Sequence, residues 1–238
     1  MTVAAIILAA SPESALRDVE GLANVRRLVD VAWAGGAVPV VVCAPDPDGA
    51  VTGELAGTNA TYARPAPTEA GPAGQILNGI AAALNVVSET DAALVWPARM
   101  GWVDAETVTS LIEAHGLRPG ALLRPTFRAT PGWPVLVPVA HVDGLRTMDA
   151  GLMPDDIVAE LVGRVANETV ELGDPGVVFD LDTPRAELPP FEAPPPPPAG
   201  HQHEWGAAIA DRSDDAPLEG PGLAPYGQAV AEVPDQPG

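Results

Sequence analysis

The stretch LVWPARMGWVDAETV, residues 94–108, decides how the rest of the chain is read. Its first part closes the apolar run DAALVWPA (91–98), which has the shape of a buried strand. PARMGWV then reads as a loop. DAETVTSLIEAHG (104–116) reads as a helix, with Asp104 as N-cap and Glu106 in a first turn that favours negative charge. A buried strand that leaves through a loop into a helix is one half of an alternating strand–helix unit.

The same alternation continues on both sides. VAAIILAA (3–10) is a continuous apolar run of the kind found in parallel sheets covered on both faces. After a Ser-Pro turn, NVRRLVDVAWAGG (24–36) places Val25, Leu28, Val29, Ala32 and Trp33 on one helical face, and Gly35-Gly36 end the helix. AVPVVVCA (37–44) is a second strand, closed by the turn residues PDPDG. Residues 51–70 suit a short helix and a short strand. GQILNGIAAALNVV (74–87) is an amphipathic helix entered through a Gly-Pro-Ala-Gly turn.

Beyond the opening stretch come ALLRPTF (121–127), PVLVPVA (134–140) and the helix PDDIVAELVGRVA (154–166). A final strand pair is expected from ETVEL (168–172) and GVVFDLDTP (176–184). The pattern predicts a three-layer α/β sandwich over residues 1–188, built on a mostly parallel, Rossmann-like sheet. VAAIILAA, AVPVVVCA and DAALVWPA are its central parallel strands, and ligand space is expected beyond their C-terminal ends.

Composition narrows the function. The chain has 238 residues and a formal net charge of -20, which repels nucleic acid and anionic membrane alike. Its twelve basic side chains are all Arg, so no step that needs a lysine is open to it. The single cysteine, Cys43, excludes an intrachain disulfide and lies in an apolar run as a packing residue. No basic residue precedes VAAIILAA, which is also too short to span a bilayer; it is read as a buried strand of a cytoplasmic protein.

Composition changes at Pro189. Residues 189–238 hold twelve of the 28 prolines, including Pro194 to Pro198, and carry eight acids against one Arg. Such a segment buries too little apolar surface to offset its ordering entropy and is expected to be extended, disordered or partner-docked. Trp205, Ile209, Leu223 and Tyr226 stand in it as isolated apolar anchors. They suit docking on a protein partner, or the segment is a solubilising appendage. His201 and His203 in HQH are read as solvated rather than metal-bound. A homo-oligomer is left open.

Three stretches, in order and spacing, resemble the MobA-like nucleotidyltransferases, most closely the branch that makes the cytosine dinucleotide form of molybdopterin. IILAAS (6–11) is similar to the family's opening strand and loop, usually LAAG. GPAGQILNGIAAAL (71–84) is similar to a segment written roughly GMSSSLRAGLAAL. GDPGVVFDLDTPRA (173–186) is similar to the terminal DxDTPED segment, preceded by GWPVLVP (132–138) where the family has GHPVLF. The resemblance covers about residues 3–188. It implies a nucleotide over the loop Leu8, Ala9, Ala10 and Ser11, phosphates met by loop cations, and a strand-end Asp that holds Mg²⁺ during nucleotidyl transfer.

The catalytic positions depart from that pattern. Ser11 replaces the Gly that lets the backbone approach phosphate. The loop between Ser11 and Gly21 is shorter than the family's and lacks its RMGxxK portion, leaving Arg17 as the one loop cation. PARMGWV aligns with PADMPxV, so Arg99 stands on the metal-binding Asp and Gly101 on the following Pro. Trp133 replaces the His of GHP. Asp180 and Asp182 remain, either as metal ligands or as the side-chain caps of a turn.

The pattern is therefore that of a degenerate nucleotidyltransferase, for which no cofactor is expected. Its role would be that of a binding or structural accessory subunit, with a molybdenum-hydroxylase-type or other redox enzyme as partner. One alternative is an active transferase using Mg²⁺ and a nucleoside triphosphate, with Arg17 and Arg99 on phosphate and Asp180 and Asp182 on the metal. Another is a nucleotide or cofactor sensor that binds without turnover.

Overall fold

A computed structural model of the chain describes residues 1–192. Strand β1 (Val3–Leu8) leads through α1 (Pro12–Leu16) and a small antiparallel pair, β2 (Asp18–Val19) and β3 (Leu22–Ala23), into α2 (Asn24–Ala34). Next come β4 (Val40–Cys43), α3 (Ala50–Glu54), β5 (Ala60–Ala63) and α4 (Gly71–Val86). β6 (Ala92–Pro97) feeds α5 (Ala105–Leu117), β7 (Leu122–Phe127), β8 (Thr130–Pro131) and β9 (Val135–Pro138). The last elements are α6 (Val142–Leu145), α7 (Pro154–Val162) and β10 (Asn167–Glu171).

The main sheet runs β10-β7-β9-β6-β1-β4-β5, with β8 added to β7. β1 pairs in parallel with both β4 and β6, so the three apolar runs VAAIILAA, AVPVVVCA and DAALVWPA are its central parallel strands. β9 and β8 are the exceptions: β9 is antiparallel to β6 on one side and β7 on the other, and β8 is antiparallel to β7. Helices flank both faces: α4 lies over β1 and β4, joined by α6 and α7, while α2 and α5 pack together on the opposite side. Ala4, Ala5, Ile6 and Ile7 are each 0% exposed, which is why β1 is apolar without alternation. Gly79 lets α4 sit close, because a Cβ there would lie 2.2 Å from Ile6.

Four local readings are corrected. GVVFDLDTP is no strand: Pro175–Val177 form a single 3-10 turn and the chain continues irregularly. The carbonyl of Val177 accepts from Trp133 N–H, and Gly176 lies flat against the backbone of Trp102 and Val103, so packing on a loop replaces pairing in the sheet. Trp33 lies off the buried face of α2 and is 46% exposed, whereas Val25, Leu28, Val29 and Ala32 are buried. Asp104 is the N-cap of α5 but its side chain makes no cap bond. The Gly-Pro-Ala-Gly stretch belongs to the first turn of α4, because Pro72 is preset for an early helical position.

The described chain stays on the domain to its end. Glu192 donates its N–H to the Gly173 carbonyl at 2.9 Å, and its carboxylate pairs with Arg128. Gly173 has φ +68°, and a Cβ there would lie 1.6 Å from the Glu192 carbonyl, so this crossing needs glycine. The anchors Trp205, Ile209, Leu223 and Tyr226, with His201 and His203, lie outside the described residues.

Candidate functional site

Parallel pairing of β1, β4 and β6 brings their C-terminal ends to one edge of the sheet. Ala9 N–H donates to the Cys43 carbonyl (2.9 Å) and Ala98 N–H to the Leu8 carbonyl (2.8 Å), so the outgoing loops of all three strands are tied side by side. This is the edge where the candidate residues were expected, and Leu8, Ala9, Ala10, Ser11, Arg17, Arg99, Asp180 and Asp182 gather along it.

The loop after β1 folds into helix. Ser11 has φ -149° and ψ 163°, extended backbone that any residue adopts, and its Oγ accepts from Ser14 N–H at 3.2 Å. Ser14 Oγ accepts the Ser11 N–H in return at 3.2 Å, a reciprocal capping box, with Pro12 preset at the start of α1. Serine thus stands at this position as a helix cap, and the N–H groups of Ala9 and Ser11 are both engaged within the protein.

The loop after β6 is pinned from three directions. Trp96, fully buried, donates Nε1–H to the Met100 carbonyl (2.9 Å), and buried Asn24 donates to the Ala98 carbonyl (2.7 Å) and the Ser14 carbonyl (3.2 Å). Leu181 N–H donates to the Arg99 carbonyl (2.9 Å). Gly101 permits this closeness, because a Cβ there would fall 2.7 Å from Leu181 and 2.8 Å from Asn24 Oδ1. A proline at that position would meet both.

The acidic segment is a turn held on Trp102. Asp180 Oδ1 accepts Asp182 N–H (3.0 Å), and Thr183 N–H donates to the Asp180 carbonyl (3.1 Å). Trp102 Nε1–H donates to the carbonyls of Asp180 (3.1 Å) and Thr183 (3.0 Å). Arg27 and Arg185 both reach the Trp102 ring, at 5.9 and 5.8 Å from its centroid. The turn-capping role allowed for Asp180 is therefore present.

The charged side chains face one another. Arg17 donates to Asp182 Oδ1 at 2.8 Å and to the Leu181 carbonyl at 2.5 Å. Arg99 donates to Asp155 Oδ2 at 3.1 Å and lies 3.8 Å from Asp180 Oδ2. Asp155 also accepts from Trp133 Nε1–H at 3.0 Å. Both cations proposed for phosphate thus meet carboxylates, and both carboxylates proposed for metal meet cations.

The residues fit poorly to the Mg²⁺ that the resemblance implies, because each candidate ligand already faces a cation: Asp182 pairs with Arg17 and Asp180 lies 3.8 Å from Arg99. Among the described residues no group of three or more His, Cys, Asp or Glu side chains forms a metal site.

Sequence reasoning missed Asp155, Asn24 and Trp102. Each acts on partners distant in the chain, and although Trp102 lies within PARMGWV it stands at that motif's unspecified position. Asp174 was missed too. Its buried carboxylate accepts from Asp104 N–H (3.1 Å), Thr107 Oγ1–H (2.7 Å) and Gly176 N–H (2.7 Å), so it ties the start of α5 to the 174–176 turn. Burial pushes its pKa above the ordinary carboxylate value against the pull of those bonds.

The fold is shared with several solved proteins. One is the Rv0371c protein of Mycobacterium tuberculosis H37Rv in complex with manganese, with TM-score 0.56 and 19% identity over 76% of this chain and 95% of that one. A nucleotidyl transferase from Methanothermobacter gives TM-score 0.57 and 16% identity, over 71% and 87%. The 4-diphosphocytidyl-2C-methyl-D-erythritol synthase of Anaerococcus prevotii gives 0.55 and 11%, over 76% and 93%. No curated protein sequence matches this chain. At these identities the structural likeness establishes the fold alone. Residues 12–165, from α1 to just past α7, match the MobA-like NTP transferase domain, and the chain belongs to that family.

Proposed function

We propose that this chain is a degenerate, non-catalytic member of its family that serves as a binding or structural accessory subunit. One observation carries the reading. Arg17 with Asp182, and Arg99 with Asp155 and Asp180, form ion pairs where transfer chemistry needs cations free for phosphate and carboxylates free for metal. The replacement of the strand-end Asp by Arg99 and the conversion of the first loop into the capped helix α1 point the same way.

The order of the motifs IILAAS, GPAGQILNGIAAAL and GDPGVVFDLDTPRA supports a place beside the cytosine-dinucleotide branch of molybdopterin chemistry. A molybdenum-hydroxylase-type or other redox enzyme is accordingly the partner class. The segment carrying Trp205, Ile209, Leu223 and Tyr226 is the proposed contact. No helix among the described residues is long and apolar enough to cross a membrane, which agrees with the cytoplasmic location we infer.

The test is pyrophosphate release from CTP and GTP with Mg²⁺ or Mn²⁺. No release above background is expected. Robust release that Asp182→Ala abolishes would overturn the reading.

A further inference from the structure

The edge of the sheet opposite the candidate site carries a different surface. β1, β4 and β6 begin there and β9 ends there, with Ala92 in register with both Val3 and Pro138. Helices α2, α4 and α5 run back to this edge and end at Ala34, Val86 and Leu117. Backbone bonds tie the returning segments to the start of β1. Val38 N–H donates to the Val3 carbonyl (2.8 Å), and Asp91 N–H donates to the Thr2 carbonyl (2.8 Å). Met1 lies against the end of α5, its Sδ 3.5 Å from where a Cβ on Gly116 would stand. Of eight large apolar side chains exposed among the described residues, five stand at this edge: Met1, Trp33, Val38, Val86 and Leu117. Leu117 is 79% exposed and Met1 69%. A cavity of about 590 Å³ opens beside them, and its lining includes Met1, His115, Gly116, Pro119, Pro138 and Val139.

Single exposed apolar residues are ordinary, whereas a concentration of them beside a concavity marks a surface that another body covers. Charge decides which body. Asp91 accepts from Thr2 N–H (2.6 Å), and Arg118 pairs with Glu168 (2.7 Å). Glu89, just after α4, and Glu113, in the last turn of α5, are exposed, and neither joins an ion pair among the described residues. The apolar surface is thus flanked by carboxylates without partners. A second copy of the chain would set these acids against themselves across a two-fold contact. The segment 189–238, with eight acids against one Arg, has the wrong sign as well. We propose that this edge is a docking surface for a different protein, one that presents an apolar anchor side chain flanked by Arg or Lys. The anchor enters the cavity beside Met1 and Leu117, and the basic flanks meet Glu89 and Glu113. The inference goes beyond the accessory role, because it assigns a second contact face that does not involve the C-terminal segment.

The test is a magnetic resonance titration of the isotope-labelled full chain with two short synthetic peptides. Both have a Phe-Leu centre, which arginines flank in one and glutamates in the other. The arginine-flanked peptide should shift the Leu117 amide and the indole N–H of Trp33, assigned through Trp33→Phe. The glutamate-flanked peptide should shift neither. Leu117→Glu and Val86→Glu, both at exposed positions, should each weaken the binding at least tenfold. Glu89→Arg combined with Glu113→Arg should transfer the preference to the glutamate-flanked peptide. Deleting 199–238 should leave the Leu117 and Trp33 shifts unchanged. The proposal is overturned if the arginine-flanked peptide shifts neither resonance, if its effects are confined to residues 199–238, or if the charge reversal leaves the preference intact. Light scattering that shows a concentration-dependent dimer, dissolved by Leu117→Glu, would assign the edge to a second copy and overturn it too. Pyrophosphate release from CTP or GTP would defeat the accessory reading and leave this one standing.

Discussion

Arg99 shows how one residue alters the chemistry around it. Restoring a carboxylate with Arg99→Asp would place it beside Asp155 and Asp180 with the neutralising cation gone. We expect no pyrophosphate release from this variant, because capped helix α1 still follows β1 and the sequence contains no lysine. Its stability should fall by about 1 kcal/mol, the scale of exposed charge interactions, and the loss should shrink in high salt. A melting curve in low and high salt, beside the release assay, checks both. His115 gives a second prediction. It is 1% exposed, neither ring nitrogen has a partner among the described residues, and burial pushes its pKa below the ordinary histidine value. The unfolded chain therefore binds a proton that the folded chain refuses. Stability is full above the ordinary value of about 6.5 and is lost as pH falls below it. Replacing the ring by an apolar side chain removes that loss, so His115→Leu should gain on wild type in melting temperature from about pH 7.5 to about pH 5.5. A constant difference between the two proteins across that range would refute the assignment.

Helix α5 shows where local reading stops. Asp104 is the cap that the sequence offers, since it directly precedes the helix, yet its side chain makes no cap bond and its own N–H is held by Asp174, seventy residues later. Adjacency is visible in a sequence and a long-range partner is not. For the same reason Val177, Val178 and Phe179 read as a strand, although the backbone hydrogen bonds of that segment go to loops. By contrast β1, β4, β6, α2 and α4 were legible, because continuous apolar runs and the 3.6-residue period record burial directly. The edge where β1, β4 and β6 end was legible from the same apolar runs, whereas the hydrogen bonds of Asp155 with Arg99 and Trp133 join residues that nothing in the sequence links. Asp174→Ala should strand the N–H groups of Asp104 and Gly176 and the hydroxyl of Thr107. The cost should be about 3 kcal/mol, the scale of removing a buried acceptor on which several donors depend. Chemical denaturation measures it. A loss below about 1 kcal/mol would mean that the α5 N-terminus is held by packing instead.

At the scale of the whole molecule, family membership and fold are settled by residues 1–192, while the proposed role depends on the segment beyond them. The domain's last described contacts are those of Glu192 with Gly173 and Arg128. The sequence alone predicts that Pro194 to Pro198 form a polyproline spacer of about 15 Å, at about 3.1 Å per residue. That distance suffices to present Trp205, Ile209 and Tyr226 to a neighbouring chain. Buried aromatics supply most of the affinity in such contacts, and the surrounding acids favour a partner with basic patches. A cut after residue 198 keeps Gly173, Arg128 and Glu192 together, so deleting 199–238 should leave the melting temperature nearly unchanged. The same deletion should sharply weaken the complex with a copurifying partner, and Trp205→Ala should reproduce much of that loss. If the truncated protein keeps full affinity, the segment is a solubilising appendage. If truncation unfolds the domain instead, the segment packs on its own body and is not free to reach a partner.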